Sequence, residues 1–195
     1  MLAVGGVNYE RLDTNIRGCF VIRTRSFSDD RGIFEQQWDA PNFAKMGLEF
    51  NVAQANASWS MPNVIRGLHI QNKNPQGKLV RCLFGKVLDV CVDARPDSPT
   101  FGQKFSIVLT PTEGSALYCP PGTLHGFSVF NLPSLVHYLC TTPYEPEHDA
   151  GVRYDDPQLA IDWRVHKPVL SKKDQALPSF QDFVKLKGEV NPWHQ

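Results

Sequence analysis

The chain has 195 residues, which suits one domain of ordinary size with a core that needs no staples. Lysine plus arginine number 20 and aspartate plus glutamate 20, so the formal net charge is zero, which argues against a dedicated nucleic-acid binder or a polybasic membrane binder. At 42% hydrophobic and 21% charged the chain is not disordered, and its five scattered cysteines, without a CxxC pair, read as reduced thiols in a cytoplasmic protein.

In chain order, residues 1–13 lack the basic start of a secretory signal. Short strand-like runs follow at 19–24 and 33–38, then a short helix over 39–47. Asp39 is its cap, Pro41 lies in its first turn and Gly47 is its stop. Further runs at 52–58, 64–70, 79–84, 87–92, 103–110, 116–119, 126–130 and 135–141 are separated by Gly, Pro, Asn and Asp. Gly85-Lys86 between two of them is the signature of a two-residue hairpin loop. In the run after it, Leu88, Val90 and Val92 face one way and Asp89, Cys91 and Asp93 the other. A last helix is expected around 179–186. No run approaches the roughly 18 apolar residues of a membrane span. Ten or so short strands with Pro-rich turns predict an all-β jelly roll or sandwich, with a few short peripheral helices and a mouth able to hold a small ligand.

Several strands carry polar groups where apolar ones belong. Lys78 shares a face with Val80, Cys82 and Phe84, either snorkelling at a rim or held inside. Tyr138 shares a face with Val136 and Cys140, as packing or as a proton donor. Arg66 and His69 would point to opposite faces of a flat strand, but a bulge at Gly67 would turn both into one cavity. His69 is then either a satisfied core histidine or a working one.

The stretch from Gly114 through Pro121-Gly122 to His125 resembles the second motif of the cupin superfamily, whose fold is a double-stranded β-helix. The first cupin motif has a His-x-His pair, but here it reads His69-Ile-Gln71. His69 and His125 lack an obvious third ligand, so no metal is expected. A longer series of motifs is similar to the dTDP-4-dehydrorhamnose 3,5-epimerase family: Phe27-Ser-Asp-Asp-Arg-Gly-Ile-Phe34, Gln54-Ala-Asn56, Arg66-Gly-Leu-His69, Lys78-Leu-Val-Arg81, Gly85-x-Val-x-Asp89-Val-x-Val-Asp93-x-Arg95-x-x-Ser98-Pro-Thr-Phe-Gly102, Pro121-Gly-x-x-His125-Gly-Phe127, Asp155-Asp-Pro157 and Leu170-Ser-x-Lys-Asp174. The likeness runs over roughly residues 15–178, and a single domain over 1–182 with a loose tail at 183–195 is expected.

The resemblance implies a metal- and cofactor-free cupin that inverts C3 and C5 of a nucleoside-diphosphate 4-keto-6-deoxyhexose. It implies His69 as base, Asp174 as the carboxylate that orients it, Lys78 as the cation for the enolate oxygen and Tyr138 as acid on the opposite face. Gln54, Asn56, Arg66 and His125 would lie near the diphosphate or sugar, and Tyr144 would stack on the nucleobase. Phe27, Arg31 and Phe34 would reach across from a partner in a homodimer with exchanged N-terminal strands. For Arg31 the residues alone also allow a hairpin-tip pair with Asp29. Gln36 stands where the family usually has Glu, so it can donate to a pyrimidine where a carboxylate only accepts. Ala55 and Leu139 also depart from the usual acidic residue and lysine. A relative that inverts a single carbon is the close alternative. A metal-dependent cupin oxygenase or isomerase and a non-catalytic sugar-binding cupin are further ones.

Overall fold

A computed structural model describes residues 8–48 and 51–189, with side chains to residue 186. Two antiparallel sheets face each other. One runs, in spatial order, β1 (Tyr9–Asp13), β2 (Phe20–Thr24), β10 (Ser115–Cys119), β7 (Lys78–Phe84), β12 (Ser134–Cys140) and β5 (Gln54–Ser60). The other runs β13 (Asp149–Gly151), β6 (Ile65–Gln71), β11 (Thr123–Val129), β8 (Val87–Asp93) and β9 (Lys104–Leu109). A separate hairpin is made of β3 (Ser26–Asp29) and β4 (Gly32–Glu35). Helices α1 (Ala40–Lys45), α2 (Lys172–Gln175) and α3 (Phe180–Glu189) are peripheral. This is the expected all-β jelly roll.

The helix ends form where the sequence placed them. Asp39 caps α1 by accepting from Asn42 N, and Gly47 lies just beyond its end with φ +80°. Ser179 Oγ accepts from Asp182 N and donates to Asp182 Oδ2, a reciprocal start for α3. The boundary expected at residue 183 falls inside α3, which carries Phe183 into the core at 3% exposure. Residues 190–195 of the expected tail lie outside the described residues.

The Gly85-Lys86 loop is not a hairpin. β7 and β8 belong to opposite sheets, so the turn hands the chain across the sandwich. Gly85 takes φ +82°, and a Cβ there would sit 2.2 Å from Ser134 Oγ and 2.5 Å from the Pro133 carbonyl oxygen. Local turn chemistry is the same whether the next strand pairs beside its predecessor or crosses over, and packing against the Pro133–Ser134 turn selects the second. The tight hairpin lies instead at Asp30–Arg31, where Asp29 pairs with Gly32. β1, β3 and β13 were not expected as strands. They are short, polar edge or hairpin segments with little apolar alternation.

β8 alternates as its sequence predicts. Leu88, Val90 and Val92 pack outward against Leu159, Trp163, Phe180 and Phe183 of the C-terminal segment. The opposite face points between the sheets, where Val87 joins Val80, Phe127 and Val136, and Cys91 joins Val21, Leu117 and Cys119. The outside of the six-stranded sheet is covered in part by Phe43 of α1. The interior is thus sealed by apolar side chains at one end and open at the other.

Candidate active site

At the open end, a cavity of about 450 Å³ lies between the sheets. Arg66 and His69 of β6 and His125 of β11 line one wall, and Lys78 of β7 and Tyr138 of β12 the other. Arg66 and His69 meet there because of the bulge at Gly67. His69 pairs with His125 and Arg66 with Phe127, so Gly67 and Leu68 together oppose Gly126 alone. Gly67 has φ +113°, and a Cβ on it would lie 2.7 Å from Gly126 Cα and from the His125 carbonyl oxygen. Only glycine fits this crossing.

Asp174 reaches the site from α2. Ser171 caps that helix by accepting from Asp174 N at 3.0 Å. The Asp174 carboxylate lies 2.6 Å from His69 Nε2, across 105 residues of sequence. Burial works to raise the Asp174 pKa, but the hydrogen bond and charge of His69, then the Gly67 N–H and Ser171, hold it below the ordinary carboxylate range. The dyad carboxylate is therefore ionised at neutral pH, ready to orient the imidazole and offset a positive charge on it. Tyr138 has its pKa raised, by burial first and Cys140 second, so its phenol keeps its proton.

A second chamber of about 250 Å³ adjoins and shares His69, Lys78 and Tyr138. Gln54, Asn56 and Tyr144 line it. Gln54 Oε1 accepts from Tyr144 N at 2.7 Å, while its Nε2 donates to Asn56 Oδ1 at 2.9 Å. Polar amides and an exposed aromatic ring are thus grouped beyond the dyad. The chain by itself does not bring Phe27, Arg31, Phe34 and Gln36 to this cavity. They sit on or just after the β3–β4 hairpin, where Arg31 pairs with Asp29 at 2.5 Å and Phe34 is 62% exposed. The Gln36 carbonyl accepts from Tyr9 Oη.

Three acidic or basic groups at the site escaped the sequence reading. Asp149 of β13 lines the second chamber, accepts from Tyr144 Oη at 2.5 Å and pairs with Lys173 of α2. Burial opposes its ionisation, but Lys173 and Tyr144 win, and its pKa is lowered. Asp89 faces inward from β8, wholly buried, 2.8 Å from His125 Nε2. Burial pushes its pKa up, with His125 pulling the other way. The signal for Asp89 was an aspartate on an inward apolar face. Lys173 stands in the Leu170-Ser-x-Lys-Asp174 motif without a role assigned to it, and Asp149 had no signal beyond proximity in the fold.

Among the described residues, two donor groups could take up a metal ion. Asp89, Cys119 and His125 form a buried cluster, and Glu145, Glu147 and His148 a more exposed one on the short 3-10 turn Pro146–His148. All five cysteines are buried free thiols. Among the described residues no helix is long and apolar enough to cross a membrane.

Residues 13–182 match the sequence profile of dTDP-4-dehydrorhamnose 3,5-epimerase. A Methanothermobacter thermautotrophicus protein of that name is 37% identical over 167 residues, covering 84% of this chain and 90% of its own length. The crystal structure of dTDP-6-deoxy-D-glucose-3,5-epimerase from Legionella pneumophila, in complex with dTDP-4-keto-L-rhamnose, superposes with a TM-score of 0.89 at 36% identity, covering 96% of this chain and 99% of that one. A 3'-monoepimerase from Streptomyces bikiniensis, in complex with dTDP-quinovose, gives a TM-score of 0.83 at 30% identity over 89% of each chain.

Proposed function

Because the chain belongs to the dTDP-4-dehydrorhamnose 3,5-epimerase family, and so is an isomerase acting on a nucleotide-linked deoxysugar, we propose that it inverts C3 and C5 of a dTDP-linked 4-keto-6-deoxyhexose with His69 as base and Tyr138 as acid. The observation that carries this reading is the division of labour between walls. The His69–Asp174 dyad, at 2.6 Å, stands on one sheet, while Lys78 and the protonated Tyr138 stand on the other.

Protons on C3 and C5 are acidic because both carbons flank the C4 ketone. His69 takes one such proton from its face of the ring, and Asp174 stabilises the imidazolium. The electron pair moves into the carbonyl, and the Lys78 ammonium, which lines the cavity, offers the enolate oxygen a cation. Tyr138 then gives its proton to the same carbon from the other wall, and the stereocentre is inverted. The phenolate recovers a proton from solvent and His69 loses one, so nothing is consumed and no redox cofactor is required. Arg66, His125, Gln54 and Asn56 supply cations and amide donors for the diphosphate and sugar, and Tyr144 a face for the base.

The site is completed by a second copy of the chain. The β3–β4 hairpin lies beside Arg81, Cys82 and Thr110 of its own barrel but leaves Ile33 and Phe34 about 60% exposed, and in a cytoplasmic homodimer with exchanged N-terminal strands it brings Phe27, Arg31, Phe34 and Gln36 to the partner's cavity.

Incubation with a dTDP-4-keto-6-deoxy sugar in deuterated water, followed by NMR, tests the reading. Deuterium should enter C3 and C5 with inversion. Tyr138→Phe should keep exchange with retention and lose inversion by roughly 10²-fold or more. Inversion by that variant at the parent rate would remove Tyr138 as the acid. Exchange at one carbon alone would make the protein a monoepimerase.

A further inference from the structure

Below the catalytic cavity the barrel holds an unusual set of donors. Cys119 ends β10, Asp89 and Cys91 are on β8, His125 is on β11, and Cys19 immediately precedes β2, so the two sheets both contribute. One ligand atom each from Asp89, Cys119 and His125 lie within 4.8 Å of one another. Cys19, Cys91 and Cys119 pack together in one buried cluster. All five residues are at least 93% buried. Asp89 Oδ1 meets His125 Nε2, but Asp89 Oδ2, fully buried, has no hydrogen-bond partner. A buried carboxylate oxygen without a donor is costly and rare, and the Asp89 carboxylate is the one that shares this cluster with Cys119 and His125.

We infer that this interior cluster is a binding site for one thiophilic divalent transition-metal ion, held by Cys119 Sγ, His125 and Asp89 with the Cys91 and Cys19 sulfurs beside it. A mixed sulfur, nitrogen and oxygen donor set suits Zn²⁺ or Co²⁺ and is wrong for the all-oxygen preference of Ca²⁺ and Mg²⁺. The charges balance: the ion's two positive charges meet the Asp89 carboxylate and a Cys119 thiolate, whose proton leaves to solvent on binding. The orphaned carboxylate oxygen then gains a partner. His125 also lines the catalytic cavity, which provides the way in. Where His125 also serves the sugar nucleotide, as proposed above, the bound ion takes it away from substrate. The site is then inhibitory rather than catalytic.

The test uses the full chain, reduced, treated with a chelator, desalted and titrated anaerobically with Co²⁺. One equivalent should bind with a thiolate-to-cobalt charge-transfer band in the near ultraviolet, and Zn²⁺ should displace it. Cys119→Ser should lose the band and bind at least about tenfold more weakly, with thermal unfolding confirming that it folds; Cys119→Ala serves if it does not. Cys82→Ser, whose thiol lies in another part of the core, should leave the band unchanged. The inference is overturned if no band appears, if Cys119→Ser binds like the parent, or if binding lacks the band and is lost in Glu147→Gln, which would place the ion on the surface. None of these readouts depends on epimerase activity, so the inference and the functional reading fail separately.

Discussion

Two histidine–aspartate pairs stand side by side on neighbouring strands, for His69 and His125 are register partners across β6 and β11. Their hydrogen bonds are alike, 2.6 and 2.8 Å, but their surroundings are opposite. His69 keeps 30% of its side chain exposed to the cavity, and several donors pull the Asp174 pKa down. His125 is 8% exposed, its aspartate is wholly buried with one oxygen unpartnered, and burial drives that pKa up. The same two residue types thus make an ionised, solvent-linked dyad in one place and, in the other, a dry pair whose carboxylate burial pushes toward its protonated form. What a histidine–aspartate pair does is set by how many other donors the carboxylate has and by access to water.

The sharpest way to break the comparison is to delete each imidazole. His69→Ala should lose deuterium exchange at C3 and C5 together, on the order of 10²- to 10⁴-fold. His125→Ala should chiefly raise KM and leave exchange at saturating substrate within about tenfold. NMR in deuterated water distinguishes them, and near-normal exchange in His69→Ala would remove it as the base.

Changing the carboxylates sharpens the contrast. Asp174→Asn keeps a hydrogen bond to His69 but cannot stabilise imidazolium, so kcat should fall by about 10²-fold with KM little changed. Asp89→Asn should cost about tenfold or less. Equal losses in the two variants would mean that the dry pair takes part in proton transfer.

Stability against pH should move in opposite directions. The Asp174 pKa is lowered in the fold, so its contribution is present above the ordinary carboxylate pKa of about 4 and is lost as pH falls through the lower folded value. Asp174→Asn should therefore lose stability at neutral pH and match the parent more closely in acid. The Asp89 pKa is raised, so its contribution is present below about 4 and is lost as pH rises through the higher folded value. Asp89→Asn should gain relative to the parent as pH rises, and thermal melts between mildly acidic and alkaline pH check both signs.

The smallest effect is expected where the dyad helix meets the nucleotide chamber. Asp149→Asn keeps a partner for Tyr144 but weakens the pairing with Lys173 of α2, a partly exposed contact worth little by itself. A rise in KM of about threefold with kcat unchanged is the expectation. A fall in kcat as large as that of Asp174→Asn would show instead that Asp149 governs the base.

Much of this was legible in the residues. Asp39, Pro41 and Gly47 mark out α1 because caps are local chemistry. Gly67 announced the bulge because only an irregular strand puts Arg66 and His69 on one side. The alternation of β8 sorted Leu88, Val90 and Val92 from Asp89 and Cys91. The strands that went unseen, β1, β3 and β13, have too few apolar residues to carry a period.

What the sequence by itself determined is the class of the fold and the inventory of chemistry: a jelly roll whose strands carry a histidine, a lysine and a tyrosine among apolar residues. Period-two alternation and turn residues act over a few positions, and those suffice. Tertiary structure alone decided the rest. It sent Gly85-Lys86 across the sandwich instead of into a hairpin, brought Asp174 to His69 over 105 residues, set Asp149 against Lys173 and closed Asp89 in with His125 and Cys119. These outcomes depend on which surfaces meet when two sheets close and on how much water they exclude. Burial and electrostatics sum over the whole assembled neighbourhood, and no short window of sequence contains that sum.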